Sequence, residues 1–157
     1  RVGGDELDNA VLQYFKRNHN LLIGDRTAER IKCEIGSAVE LETELDLSVK
    51  GRDLVSGIPK LRTVSSVDVR EALRDALDQI TAAVLRCLER TPPELGADVL
   101  ERGIMLTGGG AMLKGLDEMI RKRVELPVYV AEDPLTAVVR GTGKVLEDLE
   151  RYRAVLT

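Results

Sequence analysis

Residues 104–111 read Ile-Met-Leu-Thr-Gly-Gly-Gly-Ala, which joins a short apolar strand to a glycine turn and the start of a helix. Glycine lacks the Cβ that would hold a ligand away from the backbone, and the beginning of a helix offers free N–H groups to polar or anionic atoms. One interpretation is therefore that this turn contacts a nucleotide closely. The other, which the residues alone leave open, is a tight strand-to-helix turn that binds no ligand.

The glycine turn departs from the better-known phosphate-binding loops. A Rossmann fingerprint counted from Gly108 requires glycine at position 113, which is Leu113. A Walker loop requires Gly-Lys-Ser/Thr, whereas Lys114 follows Leu113 and precedes Gly115. No pair of carboxylates stands out among the many acidic residues as an acid–base couple. The sequence thus excludes Rossmann dehydrogenases and P-loop ATPases, and it offers no catalytic residue.

Strands and helices alternate around this turn. The predicted helices run from Ser65 to Leu88, from Thr91 to Gly103, from Ala111 to Val124 and finally to about Arg153, with strands over residues 104–107 and 127–130. The first of these helices opens with a capping box, and the second has threonine as its cap and proline after it. Such alternation predicts an α/β unit in residues 67–157, with a largely buried sheet covered by helices.

The first 66 residues have a different pattern. The predicted elements are helices over residues 5–17 and 25–36 and strands over residues 44–50 and 60–64. Asp5 and Asp25 are the expected helix caps. The two strands alternate polar and apolar residues, which predicts an antiparallel hairpin with one side in solvent. Residues 1–66 are therefore predicted to form a small α+β unit.

The second predicted helix carries a candidate binding face. Glu29, Lys32 and Cys33 share one side, because positions i, i+3 and i+4 stack on a helix, while Ala28 and Ile31 belong to the buried side. The residues alone favour a surface ion pair between Glu29 and Lys32, worth roughly 0.2–0.5 kcal/mol. A role in ligand binding is the alternative.

Composition argues against several function classes. The 157 residues carry 23 Lys and Arg against 27 Asp and Glu, a net charge of −4, which disfavours nucleic-acid binding through a broad phosphate-neutralising surface. No apolar run approaches the ~18 residues of a membrane span. The chain has a single histidine, His19, which is predicted at the end of a helix. A metal site built from several histidines is therefore excluded, and a Ser-His-Asp triad is disfavoured.

Cysteine usage and the chain start give weaker indications. Cys33 and Cys87 are far apart in predicted helices, and we expect both to be reduced and buried, as in a cytoplasmic protein. The chain begins at Arg1 without Met or a signal-peptide pattern, which predicts a fragment of a longer protein.

Five segments resemble the bacterial actin-like cell-shape family MreB/Mbl, and they occur in the family's order. They are residues 20–32, 49–60, 91–95, 104–111 and 131–135. The longest of them reads Asn-Leu-Leu-Ile-Gly-Asp-Arg-Thr-Ala-Glu-Arg-Ile-Lys. The triple glycine alone would be weak evidence, but the ordered set covers nearly the whole chain. The resemblance implies the second half of an actin-like (ribonuclease H-like) α/β ATPase fold, with residues 1–66 as a small outer subdomain and residues 67–157 as an inner subdomain.

The resemblance also implies nucleotide-binding residues in two segments. They are Glu29, Arg30, Ile31, Lys32, Gly108, Gly109, Gly110 and Ala111. The first four would lie over the nucleotide, with polar side chains reaching the adenosine, and the last four would let the backbone approach it. The family's catalytic acids and other phosphate hairpins belong to the preceding half. No catalytic residue and no metal ligand is therefore assigned to this chain.

As a member of that family, the full-length protein would be a slow ATPase of the bacterial cytoskeleton, although this fragment lacks a complete hydrolytic site. It would bind ATP or ADP, with Mg²⁺ held mainly by the absent half, and form membrane-associated filaments that maintain rod shape by positioning peptidoglycan synthesis. Its partners would be further copies of itself, membrane-anchored cell-shape adaptor proteins and, through the absent half, the inner membrane. Its location would be the cytoplasmic face of that membrane.

Two alternatives accompany this interpretation. A monomeric actin-fold ATPase of the chaperone or sugar-kinase type would stay soluble with ATP, whereas the cytoskeletal protein would pellet. A kinase would also need a substrate pocket and a catalytic acid, and neither motif occurs here. A nucleotide-free interaction module, with the first subdomain as a docking surface, would bind no nucleotide even as the complete protein.

Overall fold

The computed structural model describes residues 2–153, in which helices and strands follow one another from end to end. The helices are α1 (Gly4–Asn18), α2 (Asp25–Ile35), α3 (Ser66–Glu89), α4 (Pro93–Arg102), α5 (Leu116–Val124), α6 (Ala137–Glu147) and α7 (Leu149–Tyr152). The strands are β1 (Leu21–Leu22), β2 (Asp46–Asp53), β3 (Pro59–Ser65), β4 (Ile104–Leu106) and β5 (Val128–Val130), and a 3-10 turn spans Gly109–Met112. Over this range no helix is both long and apolar enough to cross a membrane.

Three strands form an antiparallel sheet in the order β1-β2-β3. The predicted hairpin is confirmed: β2 pairs with β3 from Asp46 opposite Ser65 to Arg52 opposite Pro59. The sequence did not predict β1, because two residues are too few to show a periodicity.

The apolar sides of α1, α2 and α3 meet in one core against this sheet. Its most deeply buried side chains include Val11 and Phe15 of α1, Ile31 of α2, Val49 and Val64 of the hairpin, and Val69 and Leu73 of α3. Burial of each large apolar side chain stabilises the fold by roughly 1.5–3 kcal/mol. The core therefore fixes how α1, α2 and the sheet sit relative to α3.

α3 is the longest element, and it connects the antiparallel sheet to α4. It begins with the predicted capping box, since Asp68 N donates to Ser65 Oγ and Ser65 N donates to an Asp68 carboxylate oxygen at 3.0 Å. Its 24 residues give a length of roughly 36 Å at 1.5 Å per residue. The N-terminal half packs into the core, and the C-terminal half leads toward α4.

β4 and β5 form a parallel pair, with Ile104 opposite Val128 and Met105 opposite Tyr129. Val128 is buried, but Met105 and Tyr129 are 59% and 50% exposed. The expected largely buried sheet is therefore not found within residues 2–153, because the helices of this range cover only part of the pair.

The predicted helix over residues 111–124 is wrong at its start. The 3-10 turn occupies Gly109–Met112, and α5 begins only at Leu116. Gly115 interrupts the helix with a left-handed backbone (φ 72°), and a Cβ there would lie 2.3 Å from Val39 Cγ2. A contact with a distant segment thus sets the start of α5.

Three helix caps also differ from prediction. The N-caps of α1, α2 and α4 are Gly3, Gly24 and Pro92. Asp5 and Asp25 lie instead in the first turns of their helices, where a carboxylate still interacts favourably with the helix dipole. The Thr91 hydroxyl donates back to the Cys87 carbonyl at 2.9 Å rather than capping α4.

His19 is the C-cap of α1, as predicted. Cys33 and Cys87 are free, as expected, but both are exposed, so their predicted burial is wrong. Each lies on a helix face that no other element within residues 2–153 covers fully.

The predicted boundary between residues 1–66 and 67–157 falls at the junction of β3 and α3. The antiparallel sheet belongs to the first range and the parallel pair to the second. Between the two ranges, Ala38 N donates to Lys114 O at 2.8 Å. The subdomain division stays a prediction, and its extreme ends, Arg1 and residues 154–157, lie outside the described residues.

Candidate functional site

A cavity of about 550 Å³ opens between the start of α1, one face of α2 and the turn after β4. We call it the glycine-turn cavity. Its lining residues are Gly4, Asp5, Leu7, Asp8, Glu29, Lys32, Cys33, Gly36, Gly109, Gly110, Met112, Leu113, Lys114 and Leu135. The volume lies within the roughly 300–1,000 Å³ of small-molecule sites. The structure thus brings parts of both predicted binding segments to one cavity.

α2 contributes one helical face to this cavity. Glu29, Lys32, Cys33 and Gly36 all line it, at positions i, i+3, i+4 and i+7. Ile31 points away from the cavity and is fully buried in the core. Because Ile31 anchors the helix, the orientation of the polar face toward the cavity is fixed by the packing of the core.

Lys32 carries the positive charge of this face and is largely enclosed. Its Nζ lies 2.8 Å from Asp8 Oδ1, with side chains only 15% and 18% exposed, and donates to Gly4 O at 3.4 Å. The ion pair with Glu29 that the residues alone favoured is therefore not formed. Lys32 instead ties α2 to the first turns of α1, which form the cavity wall.

The glycine turn supplies the opposite wall. Gly108 has φ 81° and ψ 172°, a backbone conformation that essentially only glycine adopts, and its N–H donates to Pro134 O at 2.7 Å. A Cβ on Gly110 would meet nothing within 4 Å, and one on Gly109 only Leu135 Cδ2 at 3.5 Å. The turn therefore presents bare backbone to the cavity, with free space in front of Gly110.

The eight predicted binding residues divide into two groups. Glu29, Lys32, Gly109 and Gly110 line the glycine-turn cavity. The other four do not line it. Ile31 and Ala111 are buried, and Gly108 provides the positive-φ backbone before the 3-10 turn. Arg30 lies on another face of α2, where its Nε is 3.9 Å from Glu34 Oε1. The assignment of all eight as nucleotide-binding residues stays a prediction.

Sequence reasoning missed four polar contributors to the cavity, which are Asp5, Asp8, Lys114 and the carbonyl of Gly4. Asp8 belongs to α1, which the sequence indicates only as a packing helix, and its Oδ1 is buried against Lys32 Nζ at 2.8 Å. Lys114 lines the cavity and bonds through its Nζ to the Glu34 carbonyl, and Gly4 provides the carbonyl that Lys32 contacts.

The groups with clearly displaced pKa values lie away from the cavity. Hydrogen bonds from Arg70 and Ser66 lower the pKa of Glu44 to about 2, and those from Lys60 and the turn after β2 lower the pKa of Asp53. Burial lowers the pKa of His19 despite the neighbouring Asp68. These groups lie at the end of α1, in the hairpin and at the start of α3, away from the cavity.

Comparison with known proteins identifies relatives over nearly the whole chain. The profile of the family described as MreB/Mbl protein matches residues 1–154. The cell shape-determining protein MreB of Escherichia coli K12 is 48% identical over 152 residues, which cover 97% of this chain and 44% of that protein. The cell shape-determining protein Mbl of Bacillus subtilis 168 is 44% identical over 151 residues, covering 96% and 45%. The chain thus spans less than half the length of these relatives.

Solved structures of actin-like proteins resemble this chain as well. MreB5 of Spiroplasma citri bound to AMPPNP superimposes with a TM-score of 0.91 and 35% identity, over 99% of this chain and 47% of that one. The same protein bound to ADP gives a TM-score of 0.91 and 36% identity, over 98% and 46%. A MamK double helical filament gives 0.75 and 23%, over 92% and 44%, which shows a shared fold. The fold is therefore the α/β, actin-like one, and the chain corresponds to part of it.

Proposed function

Since the chain belongs to the MreB/Mbl family of actin-like proteins, we propose that its glycine-turn cavity holds the adenosine side of ATP or ADP in the complete protein. The observation that carries this proposal is the meeting of α2 and the glycine turn at one cavity of about 550 Å³. Two segments that are about 80 positions apart in the sequence form its opposite walls.

The residues at the cavity fit this ligand chemically. Glu29 makes no ion pair or hydrogen bond with any residue of the range 2–153, so its carboxylate is free to accept from ribose hydroxyls. Lys32 adds a positive charge, and Met112 and Leu135 offer apolar surface to a base. The bare backbone at Gly110 leaves room for a ligand atom at van der Waals distance. This combination of apolar walls and few polar groups is typical of small-molecule sites.

The bound states of a relative support the same ligand class. MreB5 of Spiroplasma citri has been solved with AMPPNP and with ADP, and it shares this fold over nearly all of the chain. We therefore take adenine nucleotides, rather than other nucleotides or sugars, as the ligands to test first.

Mg²⁺ does not fit the residues described here. Within residues 2–153, no three His, Cys, Asp or Glu side chains cluster closely enough to hold a metal ion. We assign neither a metal ligand nor a hydrolytic step to this half. In the proposal, the ligands of Mg²⁺ and any catalytic acid belong to the remainder of the complete protein.

Membership of the family supports a proposal for the wider function. We propose that the complete protein forms nucleotide-dependent filaments at the cytoplasmic face of the membrane and, through membrane-anchored adaptors, positions peptidoglycan synthesis. A nucleotide that contacts both halves of the protein binds the closed state more tightly and so shifts the population toward it. The curated relatives are named for determining cell shape, and MamK, which shares the fold, occurs in a filament.

The test of the binding site is the affinity of the complete protein for ADP, measured by calorimetry on the Lys32→Ala variant. We expect the dissociation constant to rise at least tenfold, because the variant removes the charge of the cavity face and the partner of Asp8. Lys122→Ala is the matched control, since Lys122 also lies on a helix in an ion pair, with Glu118 at 2.6 Å, but does not line this cavity.

Thermal unfolding of both variants separates a lost contact from a lost fold. Lys32→Ala leaves the Asp8 carboxylate without its counter-charge, so a moderate loss of stability is expected alongside the weaker binding. Unchanged ADP affinity in a folded Lys32→Ala protein would overturn the assignment of the cavity. Absence of any ADP binding by the wild-type protein would instead favour a nucleotide-free interaction module.

A further inference from the structure

β3 is an open edge of the antiparallel sheet. The order β1-β2-β3 places β2 on one side of β3, and no other strand of residues 2–153 lies on its other side. The side chains from Pro59 to Thr63 are all exposed. None of them lines the glycine-turn cavity, so the proposed nucleotide site does not use this edge.

The hydrogen bonds of the hairpin show which backbone groups of β3 point outward. Asp53 N donates to Ile58 O at 2.9 Å at one end, and Ser66 N donates to the chain before β2 at 2.7 Å at the other. Hydrogen-bonded and non-hydrogen-bonded positions alternate along an antiparallel pair. Leu61 and Thr63 are therefore non-hydrogen-bonded positions of the β2–β3 register. Their N–H and C=O groups point away from β2, toward the open edge.

Positive charges lie on both faces of the sheet beside this edge. Lys50 and Arg52 are exposed on the face of β2 that points away from the core. Lys60 and Arg62 of β3 lie on the other face of the sheet, and both are exposed as well. Lys60 is paired with Asp53, whereas the other three form no ion pair with any residue of the described range.

This charge pattern decides what kind of strand the edge can accept. Cations on both faces oppose pairing of β3 with the same strand of a second copy, because like charges opposite one another are destabilising. A strand with acidic side chains is attracted on both faces instead. Leu61, which is 66% exposed, offers an apolar contact to one side chain of such a strand. A membrane surface would satisfy the charges but not the outward backbone groups, which favour a peptide.

We propose that β3 accepts an extended acidic segment of a partner protein as a further strand of the sheet. The main-chain groups of Leu61 and Thr63 provide the hydrogen bonds, and Lys50, Arg52 and Arg62 select carboxylates in the segment. The seven residues of β3 span roughly 23 Å at 3.3 Å per residue, so the segment has a similar length. This interaction goes beyond the proposed nucleotide site and does not depend on it.

The test is fluorescence anisotropy of a labelled peptide, Glu-Thr-Glu-Val-Glu-Thr-Glu, titrated with the complete protein. We expect saturable binding. Thr63→Pro removes an outward N–H without touching the ladder to β2, and should raise the dissociation constant at least tenfold. Lys50→Glu/Arg52→Glu should do the same through charge repulsion. Arg140→Glu/Lys144→Glu makes the same charge change at exposed positions of α6 and should bind the peptide like the wild type.

Two further probes separate strand addition from simple charge attraction. A peptide with proline in place of each threonine and valine keeps every glutamate but loses N–H groups, so it should bind at least tenfold more weakly. Equal binding of this peptide, or equal binding of the first peptide to Thr63→Pro, would overturn strand addition. Phosphatidylglycerol vesicles should not displace the peptide, and displacement would assign the surface to the membrane instead.

Thermal unfolding and ADP calorimetry on the same variants report on their fold and on the nucleotide site. We expect Thr63→Pro and Lys50→Glu/Arg52→Glu to retain wild-type ADP affinity, since neither changes a residue that lines the glycine-turn cavity. A wild-type protein that binds ADP but not the acidic peptide would overturn this proposal and leave the proposed function intact.

Discussion

The glycine turn allows a test that separates its structural role from its proposed contact with a ligand. Gly108 and Gly110 lie two residues apart, and an added Cβ would meet nothing within 4 Å at either position. They differ in backbone conformation, because Gly108 has a φ of 81° and Gly110 has an ordinary negative one. Alanine at position 108 therefore tests backbone strain, whereas alanine at position 110 tests whether the open space in front of the turn is occupied by a ligand.

The expected magnitudes follow from that difference. Gly108→Ala forces an alanine into a region that is nearly restricted to glycine, at a cost of about 1–3 kcal/mol in the free energy of unfolding. Gly110→Ala should leave stability unchanged or raise it by up to about 1 kcal/mol, because alanine reduces the freedom of the unfolded chain. If a nucleotide lies against the backbone of Gly110, the new methyl group displaces it, and we expect ADP affinity to fall at least tenfold, or by about 1.4 kcal/mol.

Two measurements on the complete protein decide the matter: thermal unfolding without nucleotide, and calorimetric titration with ADP. Gly108→Ala should melt at a lower temperature than Gly110→Ala. Gly110→Ala should lose ADP affinity without losing thermal stability. Wild-type ADP affinity in Gly110→Ala would refute close approach of the ligand to this turn. Equal melting temperatures would refute the argument from backbone strain.

Two further predictions use residues outside the turn. Cys33 lines the glycine-turn cavity and Cys87 does not. ADP should therefore slow the alkylation of Cys33 and leave the alkylation rate of Cys87 unchanged, which peptide mass spectrometry measures. An equal alkylation rate of Cys33 with and without ADP would contradict the site. Because Arg70 and Ser66 lower the pKa of Glu44 from 4.5 to about 2 in the folded state, the folded protein binds that proton less readily than the unfolded chain. The stability that Glu44 contributes is present above about pH 4.5 and is lost as the pH falls toward 2. Urea unfolding at several pH values should therefore show a shallower acid dependence in Glu44→Gln, and an unchanged slope would count against this network.

Local sequence signals predicted the elements whose causes are local. The capping box of Ser65 and Asp68 lies within four residues, and it was found as expected. The polar face of α2 follows from positions three and four apart, and Glu29 and Lys32 do line one cavity together. In each case the interacting groups are neighbours in the sequence, so the pattern contains the information.

The failures come from contacts between distant positions. Lys32 pairs with Asp8, 24 positions away, rather than with its helical neighbour Glu29, because the core packs α1 against α2. The start of α5 depends on Gly115 meeting Val39, across 76 positions. No local pattern could have shown either contact.

The predicted burial of the cysteines failed for a third reason. Cys87, together with Val84 and Leu88, continues an apolar stripe of helical period along α3, and this periodicity is the reason to expect its burial. Periodicity identifies which face of a helix is apolar, but not whether another element of the chain covers that face. Within residues 2–153 the second half of α3 is only partly covered, and Cys87 stays exposed.

The position of Lys32 on α2 connects the proposed nucleotide site with the core. Lys32 lines the glycine-turn cavity, and its neighbour Ile31 is fully buried. Under the proposed function, thermodynamic linkage makes the coupling reciprocal: if nucleotide favours assembly of the complete protein, assembly must raise nucleotide affinity by the same factor. An ADP affinity that is the same for assembled and unassembled protein would therefore contradict nucleotide-dependent assembly.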